Sequence, residues 1–182
     1  MIDYPVIVGC GTIGSSLALK LSKSFIVSNL DIYDFDTVSP ESDDPPYPFV
    51  DVDRGLLKVD VVKYCCNLEN ENLKITSYPE KITEKINSGR FVIDCRDNKY
   101  PDIGASIRIS LDGYLLYIDT LSSLEEVDYY RYISPKNEKY INDSIDFIIE
   151  FLKNDQYIHK RFLLYDLRTK NLNILQEEHI CK

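Results

Sequence analysis

Along this chain, short apolar runs alternate with stretches whose apolar residues recur at helical spacing. Val6, Ile7 and Val8 form the first run; three glycines follow at 9, 11 and 14, and then Leu17, Ala18 and Leu21 mark one side of a helix over residues 16–23. Residues 30–34, Leu-Asp-Ile-Tyr-Asp, read as a second strand ending in an acid, which closes a βαβ unit of roughly thirty residues. From 35 to 55 the chain is rich in Pro, Asp and Ser without periodicity. Structureless segments above about 12–15 residues in a compact domain are usually functional, so this loop is expected to cover a site or meet a partner. The pattern then predicts a helix over 56–68, a strand over 73–77, a short helix over 80–86, a strand over 91–94 that again ends in an acid, a helix over 98–111 and a strand over 114–119.

Strands alternating with helices imply an α/β fold: a Rossmann-like, doubly wound, mainly parallel sheet over residues 1–120. After 120 the rhythm changes. A strand over 127–133, a helix over 145–152 and an antiparallel hairpin of strands 162–166 and 172–175, closed by Arg168-Thr169-Lys170-Asn171, make a C-terminal extension. No internal repeat and no clean linker separates the two parts, so 1–182 is read as one domain, a size that buries a sizeable core.

Charge narrows the partners. With 21 basic and 30 acidic side chains the net charge is −9, which repels phosphate backbones and anionic lipid, so neither nucleic acid nor a membrane surface is expected. Five cysteines form an odd set with no secretory leader ahead of them, and no apolar run reaches the ~18 residues of a membrane span. A reducing, cytoplasmic location fits these features.

The glycines at 9, 11 and 14 have physical work to do: a tight turn, close approach of backbone N–H groups to phosphate, and close packing of helix on strand. Phosphate would sit at the helix N-terminus near Thr12, Ile13, Gly14 and Ser15. Asp34 follows Gly14 by twenty residues, the place from which an acid can bind ribose hydroxyls. A glycine turn that binds nothing, and a turn that binds a nicotinamide dinucleotide, satisfy the same pattern.

The segment Leu30-Asp31-Ile32-Tyr33-Asp34-Phe35-Asp36-Thr37-Val38-Ser39, then Gly55-Leu56-Leu57-Lys58, then Asp94-Cys95-Arg96-Asp97-Asn98, resembles the ThiF/MoeB/HesA family of ubiquitin-activating-enzyme-like adenylyltransferases. Residues 164–170 look like that family's late hairpin. The resemblance implies that ATP and a carboxylate, at the C-terminus of a small ubiquitin-like protein or peptide, give an acyl-adenylate and pyrophosphate. It assigns Asp34 to the ribose, with Asp36 beside it, Lys58 to the phosphates, Asp97 to Mg²⁺ and Asn98 to the pocket wall. A homodimer is also expected from it.

Departures accompany the likeness. The family's Asn-x-x-Arg stretch after the second strand is replaced by the acidic, proline-rich residues 41–48, leaving Arg54 as the nearest substitute for a phosphate-gripping arginine. The N-terminal helix that lends an arginine to a neighbouring subunit, the paired CxxC motifs of a structural zinc site and a dedicated catalytic cysteine are missing as well; Cys65-Cys66 is not spaced for metal. These absences favour a second reading, a binding or scaffold protein that kept the fold and lost turnover. A nicotinamide-dependent oxidoreductase is a third, for which no hydride-site acid or base stands out.

Overall fold

The structure is a computed structural model that describes residues 4–24, 26–39, 49–86, 89–96, 102–120, 138–154 and 162–175. Its elements run β1 (Val6–Val8), α1 (Thr12–Ser24), β2 (Asn29–Tyr33), α2 (Lys58–Glu69), β3 (Lys74–Tyr78), β4 (Val92–Asp94), β5 (Ile107–Asp112), β6 (Leu115–Asp119), α3 (Glu138–Lys153), β7 (Phe162–Asp166) and β8 (Asn171–Leu175). The strands form one sheet in the order β3-β2-β1-β4-β5-β6-β7-β8. Pairing is parallel from β3 through β5 and antiparallel from β5 to β8. The expected fold class holds: a Rossmann-like mixed sheet whose winding reverses beside β1.

Apolar residues on alternate strand positions bury one sheet face under the helices. Ile7, Leu30, Ile32, Ile93, Ile107 and Ile109 meet Leu17, Val62 and Ile148 in a continuous core. All three described helices pack on this face. The opposite face carries a smaller cluster, Val6, Val8, Val92 and Ile103, against which Tyr33, Ile82 and Ile86 pack from the flanks. No helix among the described residues is long and apolar enough to cross a membrane.

Three expectations are corrected. The helix expected over 98–111 is overturned where it can be seen: Ile107–Asp112 is a strand with alternating burial, its Ile107, Ile109 and Leu111 turned to the helices. The strand expected at 114–119 is present as β6, but it returns antiparallel to β5 across the two residues Gly113-Tyr114. The first of these has φ +59, the left-handed value that suits glycine at that turn position. Residues 80–86 contain no helix; they have no regular structure, and Ile82 and Ile86 pack against the cluster on the second face. The expected strand at 127–133 lies outside the described residues, as do 40–48 of the long loop and 97–101.

The described ends of that loop are stapled together. Thr37 bridges Leu57, Val38 N–H donates to the Leu56 carbonyl (2.8 Å) and Gly55 N–H to that of Val38 (2.9 Å), so residues 36–39 lie along 54–58. A short 3-10 turn, Asp51–Asp53, precedes the staple. The late hairpin stands where the sequence put it, its turn fixed by Asp166, whose carboxylate accepts from the Arg168 and Thr169 N–H groups.

Candidate functional site

In an open sheet whose winding reverses, ligands bind at the carboxyl ends of the strands beside the reversal. Here that point lies between β1 and β4, and a cleft of about 750 Å³, solvent at its mouth included, opens there. Its walls bring together Gly9, Gly11, Thr12, Ile13, Asp34, Asp36 and Lys58, seven of the residues expected from sequence.

Each glycine answers a different constraint. Gly9 takes φ +93, and a Cβ there would stand 3.0 Å from the Arg96 nitrogen and from the Cys95 carbonyl carbon. At Gly14 a Cβ would fall 1.8 Å from the Gly9 carbonyl oxygen, so this glycine lets α1 close down on the end of β1. Gly11 differs: nothing lies within 4 Å of its Cβ position, and its backbone is open to the cleft. Gly14 itself is buried and is not part of the cleft wall.

Helix α1 begins with no acidic residue in its first turn. Its opening N–H groups, at Thr12, Ile13 and Gly14, precede the first intrahelical bond, Ser15 N–H to the Gly11 carbonyl (3.0 Å). Such groups have no acceptor within the helix and carry the positive end of its dipole, which favours an anion. Ser15 Oγ donates to the Cys10 carbonyl (2.7 Å), which fixes the turn from beneath.

Asp34 ties the glycine turn to the next segment. Its Oδ2 accepts from Cys10 N–H (2.5 Å) and its Oδ1 from Asp36 N–H (2.8 Å). Burial pushes its carboxyl above the ordinary 3.8, against the pull of these two N–H groups and of the Lys58 ammonium. Lys58 opens α2; its N–H donates to the Asp36 carbonyl (3.0 Å) and its ammonium lies 3.2 Å from Asp36 Oδ2.

Arg54 stands apart from these. Its guanidinium pairs with Asp51 (Nη2 to Oδ1, 2.7 Å) and reaches the Ser39 carbonyl (3.3 Å), and it does not line the cleft. Asp97 and Asn98 lie outside the described residues. Among the described residues no group of three or more His, Cys, Asp or Glu is placed to hold a metal ion. The cysteines at the site, Cys10 and Cys95, have thiols pushed well up by burial, so both stay protonated at neutral pH and neither is an activated nucleophile.

Sequence reasoning passed over Phe35, Lys81, Arg96 and Ser110, which also line the cleft. Lys81 Nζ lies 5.5 Å from the centre of the Phe35 ring. Arg96 is nearly buried and clasps Asp94 through Nε and Nη2, both 2.8 Å. Arg96 stood inside one of the informative motifs; what hid its position is that residue 9 and residue 96 meet only through the pairing of β1 with β4.

The model of the ThiF family matches residues 4–110. Comparison with curated proteins finds no match. Among solved structures, the chain is similar to PaaA (TM-score 0.66, 16% identity, 96% of this chain and 64% of that one). It is likewise similar to E. coli MccB crystallised with ATP (TM-score 0.66, 14%, 96% and 63%) and with MccA (TM-score 0.70, 14%, 96% and 63%). This chain therefore spans a little under two thirds of their length, and at such identities the likeness establishes the fold.

Proposed function

The chain belongs to the ThiF family, and from that premise we propose that it binds ATP in the cleft beside β1 and adenylates a carboxylate. In this reading a carboxylate oxygen attacks the α-phosphorus, the bond from that phosphorus to the bridging oxygen breaks, and pyrophosphate leaves. The observation that carries the reading is the joint placement of the open Gly11 backbone, the unpaired first turn of α1 and the Asp34 carboxylate around one cleft. The residues present suit a nucleotide: the space beside Gly11 is open to the cleft, where a phosphate would approach, and the Asp34 carboxylate would accept from ribose. ThiF-like proteins in general support ATP-dependent carboxylate adenylation, and the MccB structure with ATP supports a nucleotide in this fold.

The residues divide the work. The N–H groups at Thr12 and Ile13 would receive the phosphates, with Gly14 packed behind them, and Lys58 would add a cation from the start of α2. Asp97 would hold Mg²⁺, with Asn98 beside it; the ion would supply charge neutralisation between phosphates and carboxylate. The carboxylate belongs, on this reading, to a peptide or ubiquitin-like C-terminus, in a cytoplasmic protein that pairs with a second copy.

The position of Arg54, engaged with Asp51 and away from the cleft, favours one alternative: a nucleotide-binding scaffold without turnover. ATP–pyrophosphate exchange with Mg²⁺ separates the two, run with peptides ending in Gly-Gly and with Lys58→Ala and Asp97→Ala beside the parent chain. Substrate-dependent exchange lost in both variants is expected for the enzyme. ATP binding without exchange on any carboxylate identifies the scaffold, and binding of NAD in place of ATP refutes both.

A further inference from the structure

Resting on the ATP reading above, we propose that Arg96 is the phosphate-gripping arginine of this cleft, in place of the one missing after β2. The argument begins with topology. β1 has β2 on one side and β4 on the other, so a phosphate at the mouth of the glycine turn can be approached from two flanks. Lys58, held through Asp36, approaches from the β2 flank. On the β4 flank the chain turns at Cys95-Arg96 directly against Gly9, where even a methyl group would collide with the Arg96 nitrogen. Arg96 is therefore anchored beside the phosphate cradle, and its side chain lines the same cleft.

Its guanidinium is also held in advance. Asp94 Oδ1 accepts from the Arg96 N–H (3.1 Å) and Nε (2.8 Å), and Oδ2 accepts from Nη2 (2.8 Å). Held along one edge by Asp94, the planar fork has a fixed orientation, and a pre-set guanidinium suits phosphate recognition. Charge favours the same assignment. Arg108, from β5, also reaches Asp94 Oδ2 (3.3 Å), so one buried carboxylate is shared by two guanidiniums and the trio keeps a net positive charge beside the cleft. Arg54 offers none of this, since it pairs with Asp51 outside the cleft.

The test is titration calorimetry of the full chain with ATP, adenosine and inorganic tripolyphosphate, comparing the parent with Arg96→Ala, Arg96→Gln and Arg54→Ala. Removal of Arg96 is expected to weaken ATP and tripolyphosphate at least tenfold while adenosine stays within twofold. ATP within twofold of the parent overturns the assignment, as does an equal loss on adenosine, which signals a merely structural role, or a loss in Arg54→Ala instead. A second readout needs no variant: the Arg96 Nε–H resonance of the parent chain should shift with ATP and not with adenosine, and its indifference to ATP overturns the proposal. If the parent binds neither ATP nor tripolyphosphate, the nucleotide reading falls and takes this one with it. If the parent binds ATP and only Arg96 is indifferent, this assignment alone falls.

Discussion

Two glycines of the turn after β1, replaced one at a time by alanine, should fail in opposite ways. At Gly14 the new Cβ lies 1.8 Å from the Gly9 carbonyl oxygen, whereas ordinary contact begins near 3.4 Å, so the turn must retreat by about 1.5 Å or the helix must lift. Overpacking of this kind costs about 1–3 kcal/mol, and the better helix propensity of alanine returns at most about 1. A net loss of about 2 kcal/mol lowers the melting temperature by roughly 4–8 °C in a domain of this size. At Gly11 the Cβ meets nothing and the residue is not among the positive-φ glycines, so alanine is tolerated and adds about 0.4–1 kcal/mol by restricting the unfolded chain. On the ATP reading, however, its methyl group would stand where the phosphate approaches. Losing one hydrogen bond from a backbone N–H to an anion costs about 1.5–3 kcal/mol, at least a tenfold weakening. Thermal shift reads both effects. With ATP at a hundred times the parent Kd, the ligand stabilises the parent by about 2.7 kcal/mol and a tenfold weaker variant by about 1.4. The ATP-induced shift of Gly11→Ala should then be smaller by roughly 3–5 °C although its unliganded melting point is unchanged or higher. A Gly11→Ala chain with the full ATP shift would refute the claim that phosphate approaches the backbone there, and a Gly14→Ala chain that melts with the parent would refute the close packing.

Asp34 should titrate above the ordinary carboxylate value of 3.8, because burial outweighs its two N–H donors. An acid whose folded pKa is raised gives stability that is fully present below the unfolded value and lost as pH rises through the folded one. A carboxyl-carbon NMR titration should find the midpoint above 3.8, and Asp34→Asn should abolish that part of the pH dependence; a midpoint at or below 3.8 contradicts the burial argument. Leu111→Ala, at a fully buried position of β5, should cost about 2–5 kcal/mol, whereas Asp112→Ala on the opposite face should stay within about 0.5. Denaturant melts measure both, and equal costs at the two positions would argue against a strand there.

Local signals were legible wherever one chemistry dominated a short stretch. The apolar run at Val6, the glycines after it and the acid ending β2 specify strand, turn and helix with little help from the rest of the molecule. The region before β5 misled for a definite reason. Ile103, Ile107 and Leu111 are spaced by four, which satisfies a helical period, yet Ile107 and Leu111 also share one face of a strand, while Ile103 packs on the opposite face of the sheet. Only Ile109, between them, belongs to the strand pattern alone, and the decision falls to β4 and β6, which pair with this segment on both sides. Residues 80–86 misled in the same way, since Ile82 and Ile86 are four apart but pack from a segment without regular structure. Cleft-lining residues contributed by one βαβ unit could be read in advance; the place of Arg96 could not, because a contact between residues 9 and 96 is a property of strand order, not of sequence spacing.

The staple between residues 36–39 and 54–58 has a consequence for how this molecule can vary. Because Thr37 and Leu57 are bridged and Val38 is bonded to both Gly55 and Leu56, residues 36–39 and 54–58 are held at neighbouring, fixed points. A change in the length of the chain between 39 and the buried Phe49 is therefore expected to leave β2 and α2 in place. Doubling its length adds only about 0.6 kcal/mol of closure entropy. An insertion between these fixed points, a grafted tag for instance, is therefore expected to leave the shape of the cleft a few residues away unchanged.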